Sequence, residues 1–390
     1  MPSHIIWSSE LSPYAWKIRS LLDFKQQPYR MLPGDGSWLE NLKVNLALAK
    51  GKKNRSITRY PKMTALDEYP AVPYLVTGSH IQYDSSGISR WLDAYYCDYP
   101  LASLLPEDPS VGFIANLIDE AFDEFGLYMV HHMRWVTAAQ DNDAGKRLSH
   151  EFKRVLPLGL NKILATSFPR RQVRRLPYLF SVAPAGYQCD MPAKLTPQNI
   201  KGFPSTHVLL DLAWREYLAA LENIFTQQSY LLGEQFTVAD ASVYGQLYMN
   251  MSDPSAAKSI KELAPFTYQW LININQSKHV ENNGALFLSA HLSPLLAIIS
   301  KTFIPLMQQN AQAFYIAKKQ GVMQCNEAAF DNRTNIYAGE ILGLSFKSVV
   351  KSFQIEVWQS LQNQWSDLTD TQTEVIHKKT HYDISQLFLY

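Results

Sequence analysis

The fold is decided by one N-terminal stretch, residues 5–22, with the sequence IIWSSELSPYAWKIRSLL. Its first three residues form a short apolar run that predicts a β-strand. Ser12 followed by Pro13 is typical of a helix start, because serine caps helices and proline favours the first helical position. Ala15, Ile18 and Leu22 then fall on one side of the predicted helix. The stretch therefore predicts a strand that leads into an amphipathic helix.

The segments that follow extend this unit into an α+β domain. Tyr29 to Leu32 is a second strand candidate, which a connecting helix would place parallel to the first. After an irregular linker, residues 72–76 and 80–83 predict a β-hairpin, and Asp84-Ser85 caps a further helix. The order βαβ, linker, ββα predicts a thioredoxin-like domain over residues 1–100.

The rest of the chain is predominantly helical in pattern. An all-α domain is predicted over residues 107–275, followed by a mostly helical C-terminal extension over 276–390. Apolar residues of the extension recur every three or four positions between 349 and 368, which indicates an amphipathic helix. The helix candidates of the all-α domain span 110–138, 144–166, 206–227, 238–250 and 258–274.

Composition limits the partners and the compartment. With 36 Lys and Arg against 35 Asp and Glu, the formal net charge is +1, so we expect neither nucleic acid nor a membrane as partner. Cys97, Cys189 and Cys325 are far apart, which argues against a disulfide framework or a zinc site. No signal peptide is recognisable, and apolar stretches stop short of the roughly 20 residues that span a bilayer. These features predict a cytoplasmic protein without a metal.

Four short motifs are informative together. They are Ser12-Pro13-x-x-x-Lys17-x-Arg19, Val72-Pro73, Asp84-Ser85-x-x-Ile88 and Leu231-x-Gly233-x-x-Phe236-Thr237-x-Ala239-Asp240. These motifs resemble those of soluble glutathione transferases. The first resembles the start of the first helix in serine-type members of that family, and the last resembles a helix-capping motif of their helical domain. The extension is similar to that of some bacterial transferase-like proteins.

The resemblance implies a glutathione site on the N-terminal domain. Ser12 would hold the glutathione thiolate, which a hydroxyl group and the positive end of a helix both stabilise. In the family the peptide bond before Pro73 is cis and exposes the backbone of Val72 to the cysteinyl part of glutathione. Asp84 would accept the ligand's ammonium group. Ser85 would bind its γ-glutamyl carboxylate, and Lys62 would contact its glycyl carboxylate.

Two assignments keep alternatives at this stage. Tyr14 is a rival for the catalytic role, since some classes of the family hold the thiolate with a tyrosine hydroxyl. Tyr128, His131 and Trp135 fall at i, i+3 and i+7 of one predicted helix, a spacing that places them on one face. They are either the lining of the second-substrate cleft or packing between helices.

The preferred interpretation is a glutathione transferase that conjugates or exchanges the glutathione thiolate with a small electrophile, as in detoxification. Glutathione is then a co-substrate, and the family implies a homodimer unless the extension covers that surface. The alternative is a non-catalytic module that binds glutathione or a protein partner. A thiol-disulfide reductase is disfavoured, because serine at position 12 cannot form a mixed disulfide.

Overall fold

The computed structural model of the chain describes residues 4–54, 57–59, 73–96, 103–157, 159–281, 283–322 and 324–388. The elements of the N-terminal part are β1 His4–Trp7, α1 Pro13–Phe24, β2 Tyr29–Leu32, α2 Trp38–Asn54, β3 Thr58–Arg59, β4 Tyr74–Thr77, β5 His80–Tyr83 and α3 Ser85–Tyr95. Its strands form a five-stranded sheet in the order β2-β1-β4-β5-β3. β1 pairs in parallel with β2, as the sequence predicts, and antiparallel with β4.

The second part is helical, as predicted. Its first long helix, over residues 109–137, contains two stretches of π-helix, Phe122–Gly126 and Met133–Thr137. A chain segment without regular structure, apart from one short 3₁₀ turn, connects Arg175 to His207. The α-helices are α4 Pro109–Ala121, α5 Leu127–His132, α6 Ala144–Glu151, α7 Leu160–Arg175, α8 His207–Phe225, α9 Val238–Met249, α10 Pro254–Leu263 and α11 Pro265–Asn275.

The extension packs onto the helical part and shares its hydrophobic core. The ring of Trp365 lies 5.1 Å from that of Phe113 on α4, and the Asn116 amide donates to Gln364 at 2.7 Å. The predicted amphipathic helix is α15, Phe353–Ser366. The extension contains α12 Ser293–Lys301, α13 Phe303–Lys319, α14 Glu327–Asp331, β8 Ile336–Ile341, β9 Leu344–Val349, α15 Phe353–Ser366 and α16 Asp370–Thr380, while β7 Asn283–Leu286 pairs with β6 Gly233–Gln235.

The contact between α1 and α9 joins the two domains at close range. A Cβ atom on Gly245 of α9 would lie 2.6 Å from the carbonyl oxygen of Pro13. Only glycine allows the two backbones to approach this closely, so α1 is fixed against the helical domain. The start of α1 is therefore a rigid position.

One helical segment of the described residues, Ala290–Lys319, is long and apolar enough to cross a membrane by length and composition. Polar residues, among them Lys301 and Gln308, interrupt the apolar stretches of this segment. Of its most apolar 18 residues, 56% are buried inside the fold. Core helices of globular proteins meet the same criterion, so the segment is weak evidence for a membrane span.

Candidate functional site

Ser12 occupies the N-cap position of α1 with extended backbone angles, as the sequence predicts. Its side chain is half-buried and makes no capping hydrogen bond to the helix. A hydroxyl without a bond to its own helix can donate to a ligand. The first-turn N–H groups and the helix dipole favour a negative charge at the same place. The geometry thus meets the requirement for holding a thiolate.

The loop that leads to Ser12 is held by the helical domain. The buried Arg134 guanidinium donates to the carbonyl oxygen of Leu11 at 2.9 Å and to Asp253 at 2.7 Å. Glu151 lies close to Ser9 of the same loop, and burial raises the pKa of Glu151 to about 7. The hydrogen bond from Arg134 fixes the β1–α1 loop next to the start of α1.

Tyr14, the rival for the catalytic role, bonds to the helical domain. Its hydroxyl donates to the carbonyl oxygen of Asp123 at 2.8 Å. Burial and the nearby carboxylates raise the pKa of Tyr14 well above its ordinary value. The hydroxyl therefore stays protonated and is committed to the domain interface, so the arrangement favours Ser12 for contact with a thiolate.

Asp84 and Ser85 lie where the sequence predicts, at the start of α3. Asp84 adopts a φ of 73° and its carboxylate accepts from the backbone N–H groups of Ser86 and Gly87 at 3.0 and 3.3 Å. Burial and the neighbouring Asp123 raise the pKa of Asp84 to about 7. The Ser85 hydroxyl donates to Asp123 at 3.0 Å. Both side chains thus have partners within the protein.

A buried ionic cluster lies beneath these two residues. The Lys17 ammonium donates to Asp119 at 2.5 Å and to Asp123 at 2.7 Å, and all three side chains are at most 7% exposed. It also donates to the hydroxyl of Ser86 at 3.3 Å. The hydroxyl of Ser242 on α9 donates to Asp123 at 2.6 Å. The cluster connects α1, α3, α4 and α9 and so determines where the two domains meet.

Of the other residues predicted to bind glutathione, only some belong to the described part of the chain. Pro73 is buried and directly precedes β4. Val72, its peptide bond to Pro73, and Lys62 lie outside the described residues. Among the described residues, no group of three or more His, Cys, Asp or Glu side chains is arranged to hold a metal ion.

The residues predicted for the second-substrate cleft lie in different packing environments. Tyr128 belongs to the main core and Trp135 to a separate cluster with α6 and α7. Trp135 lies within the π-helical stretch over residues 133–137. It also lines a cavity of about 260 Å³ between α6 and α7.

Tyr128 is covered by the extension. Its hydroxyl accepts from the ammonium of Lys351, which also lies 4.5 Å above the Tyr128 ring. Gln354 donates to Glu124 at 2.8 Å and to the Tyr128 hydroxyl at 3.4 Å. Tyr128 is consequently only 2% exposed. The sequence gives no indication of this cover, because Lys351 and Gln354 belong to no motif.

His131 is also unsuited to proton transfer near neutral pH. Its ring nitrogen Nδ1 is 3.0 Å from the carbonyl oxygen of Leu127. Burial, with a contribution from Arg134, lowers the pKa of His131 to about 3. The imidazole is therefore neutral over the physiological range.

Comparisons with known proteins agree with this architecture. The family model described as glutathione S-transferase, N-terminal domain, matches residues 7–98, and the model described as glutathione S-transferase, C-terminal domain, matches residues 212–278. No curated protein matches the chain.

Matches among solved structures include three in which the match covers most of the solved chain. A glutathione S-transferase of Ceriporiopsis subvermispora in complex with glutathione is 16% identical, with 71% of this chain and 98% of that chain covered and a TM-score of 0.43. Beta-etherase LigF of Sphingobium is 15% identical, with coverages of 72% and 97% and a TM-score of 0.41. A glutathione S-transferase of Rhodospirillum rubrum is 16% identical, with coverages of 71% and 90% and a TM-score of 0.37. By the matches to both of its domains, this chain belongs to the glutathione S-transferase family.

Proposed function

We propose that the protein is a glutathione transferase in which Ser12 holds the glutathione thiolate for attack on a small electrophile. The observation that carries this proposal is the uncapped, half-buried hydroxyl of Ser12 at the N-terminus of α1. A hydrogen bond to sulfur and the helix dipole both favour the thiolate, which is the nucleophilic form. The fixed β1–α1 loop keeps the hydroxyl in place without reorganisation.

In this proposal glutathione lies along the edge of the N-terminal domain. The ammonium group of its γ-glutamyl part meets Asp84, and the carboxylate meets Ser85 and the first turn of α3. Asp84 holds two of those first-turn N–H groups itself, so the ligand carboxylate has to share or replace that contact. Val72 and Lys62 complete the proposed ligand set.

The central experiment separates binding from chemistry. Ser12→Ala should stay on immobilised glutathione but lose about 10²-fold or more in kcat with an activated aryl halide, because loss of the hydroxyl donor lowers the ionised fraction of the bound thiol. Ser12→Thr retains a hydroxyl and serves as the matched control. Tyr14→Phe tests the rival residue and should keep most of the activity.

A second readout concerns the sulfur directly. The ultraviolet absorbance of the bound thiolate, followed against pH, should show a higher thiol pKa in Ser12→Ala than in the wild type. If Tyr14→Phe rather than Ser12→Ala raises that pKa, the assignment of Ser12 is wrong. Failure of the wild-type protein to bind glutathione would reject the proposal as a whole.

The second candidate is a non-catalytic module, and one observation favours it. Lys351 and Gln354 close over Tyr128, which lies in the region where a second substrate was expected. A module of this kind would retain glutathione with an unchanged thiol pKa and would turn over no electrophile. The two measurements above therefore distinguish the candidates.

A further inference from the structure

Helix α2 has two apolar sides, and only one of them is used for folding. Its inner side packs on the sheet through Val44 and Leu48, which are 7% and 5% exposed. The opposite side, here called the α2 outer face, consists of Trp38, Leu39, Leu42 and Leu46, with exposed fractions of 59%, 60%, 40% and 62%. The helical period of 3.6 residues places these four side chains together.

Scattered apolar residues on a protein surface need no explanation, but a contiguous group does. Trp38, Leu42 and Leu46 follow each other at intervals of four residues along α2, and Leu39 lies beside them. A helix whose sides are both apolar normally has both sides buried. The α2 outer face is therefore available for contact with something outside the described part of the chain.

Charge indicates which kind of partner fits. Lys43, Lys50 and Lys53 lie on the outward side of the same helix and are exposed. The only acidic residue of α2 is Glu40, and it is already held by Arg30. The helix thus presents an apolar patch toward its N-terminus and a positive patch toward its C-terminus.

We propose that the α2 outer face binds the surface of an anionic lipid bilayer. Its tryptophan and leucines would enter the boundary between headgroups and acyl chains, and its lysines would contact the headgroup phosphates. Amphipathic helices with basic residues bind membranes in this orientation, parallel to the surface. A net charge of +1 gives no attraction over the whole protein, so binding would depend on these few lysines.

A second copy of the chain fits the same face less well. In a symmetric pairing through α2, each helix would bring its own lysines into the interface. The carboxylate that each helix offers in return is that of Glu40, which already pairs with Arg30. A bilayer with anionic lipids supplies both the missing negative charge and an apolar layer. The proposal does not depend on glutathione binding, and it differs from a membrane span because α2 would lie on the surface.

The test is co-flotation of the full chain with vesicles of phosphatidylcholine, with and without phosphatidylglycerol. We expect binding only to the anionic vesicles, with loss of binding at high salt. Lys43→Glu with Lys50→Glu should lower the partition coefficient about 25-fold or more, since each lysine near an anionic surface contributes about fivefold. Lys318→Glu with Lys319→Glu changes the net charge equally on another exposed helix end and should have little effect.

Apolar insertion is tested separately. Leu42→Gln with Leu46→Gln should lower binding about tenfold, because glutamine keeps the helix but not the apolar contact. The matched control is Ile163→Gln with Val208→Gln, two side chains that are 60% and 61% exposed on other helices. Circular dichroism confirms that each variant is folded.

Three results would overturn the proposal. They are absence of wild-type binding to the anionic vesicles, equal binding to neutral and anionic vesicles, and equal loss in the Leu42/Leu46 variant and its control. Sedimentation velocity supplies a further check. If the wild type self-associates and Leu42→Gln with Leu46→Gln abolishes this association, the α2 outer face is an interface between copies and not a lipid-binding surface.

Discussion

The substitution Lys17→Met removes the ammonium group at the centre of the domain interface cluster. Lys17 is 1% exposed, and its ammonium group contacts the carboxylates of Asp119 and Asp123 at 2.5 and 2.7 Å. Methionine fills a similar volume but leaves two buried carboxylates without their counterion. The substitution therefore tests electrostatics more than packing.

The expected cost follows from what remains buried. Removing one partner of a buried ion pair costs about 3–5 kcal/mol, because the remaining charge stays away from water without compensation. Hydroxyl groups of Ser85 and Ser242 still donate to Asp123, at 3.0 and 2.6 Å, and reduce this penalty. We therefore expect a loss near 3 kcal/mol in the free energy of unfolding.

Urea unfolding followed by circular dichroism at pH 8 measures this loss. The matched control is Lys258→Met, in which the replaced lysine is 73% exposed and pairs with Glu262 at 3.7 Å. Such surface pairs contribute little, so the control should change the stability by less than about 1 kcal/mol. At pH 5 the deficit of Lys17→Met should shrink, because a buried carboxyl without its ammonium partner takes up a proton more readily.

A triple variant provides the decisive comparison. Lys17→Met combined with Asp119→Asn and Asp123→Asn contains no buried charge at these positions and should recover at least half of the lost stability. A loss below 1 kcal/mol for Lys17→Met would refute the reasoning. So would a triple variant no more stable than the single one, since packing alone would then explain the loss.

Three further predictions concern the carboxylates and the extension. The pKa of Asp84 is about 7, and only its ionised carboxylate pairs with an ammonium group. The Kd for S-methylglutathione, measured by calorimetry, should therefore fall about tenfold between pH 6 and pH 8. In Asp84→Asn the Kd should depend less on pH. Asp240 accepts hydrogen bonds from the N–H groups of Leu231 and Thr237 at 2.8 and 2.9 Å. Asp240→Ala should therefore lower the free energy of unfolding in urea by about 2–4 kcal/mol. A loss below about 1 kcal/mol would contradict this expectation. Lys351→Met should increase hydrogen–deuterium exchange around Tyr128 by severalfold, and unchanged exchange would show that the lysine does not hold the cover.

The sequence predicts the N-terminal fold well because its signals are local. The alternation of apolar runs with a Ser-Pro helix start predicts β1, α1 and β2, and the predicted parallel pairing of the two strands is formed. The capping box at Thr237 is likewise formed. Its residues are three positions apart, so no distant contact is needed to recognise it.

The candidate site is less predictable because its partners come from distant segments. The position of Ser12 follows from the sequence, but the commitment of Tyr14 to Asp123, 109 residues away, does not. The helix that carries Tyr128 and Trp135 has no sequence signal for its two π-helical stretches. Packing of the helical domain, rather than local preference, determines these features.

The helix over residues 109–137 links the proposed glutathione site to the extension. Asp119 and Asp123 contact Lys17 on one side of it, while Glu124 and Tyr128 contact the extension on the other. Because Asp84 and Asp123 repel each other, we expect a ligand that pairs with Asp84 to affect the helix that carries Glu124 and Tyr128. In an enzyme, occupancy of the glutathione site would then change the cover on Tyr128. In a binding module the same connection would reach the surface of the extension, so we expect a ligand response at Tyr128 in both cases, and only turnover separates them.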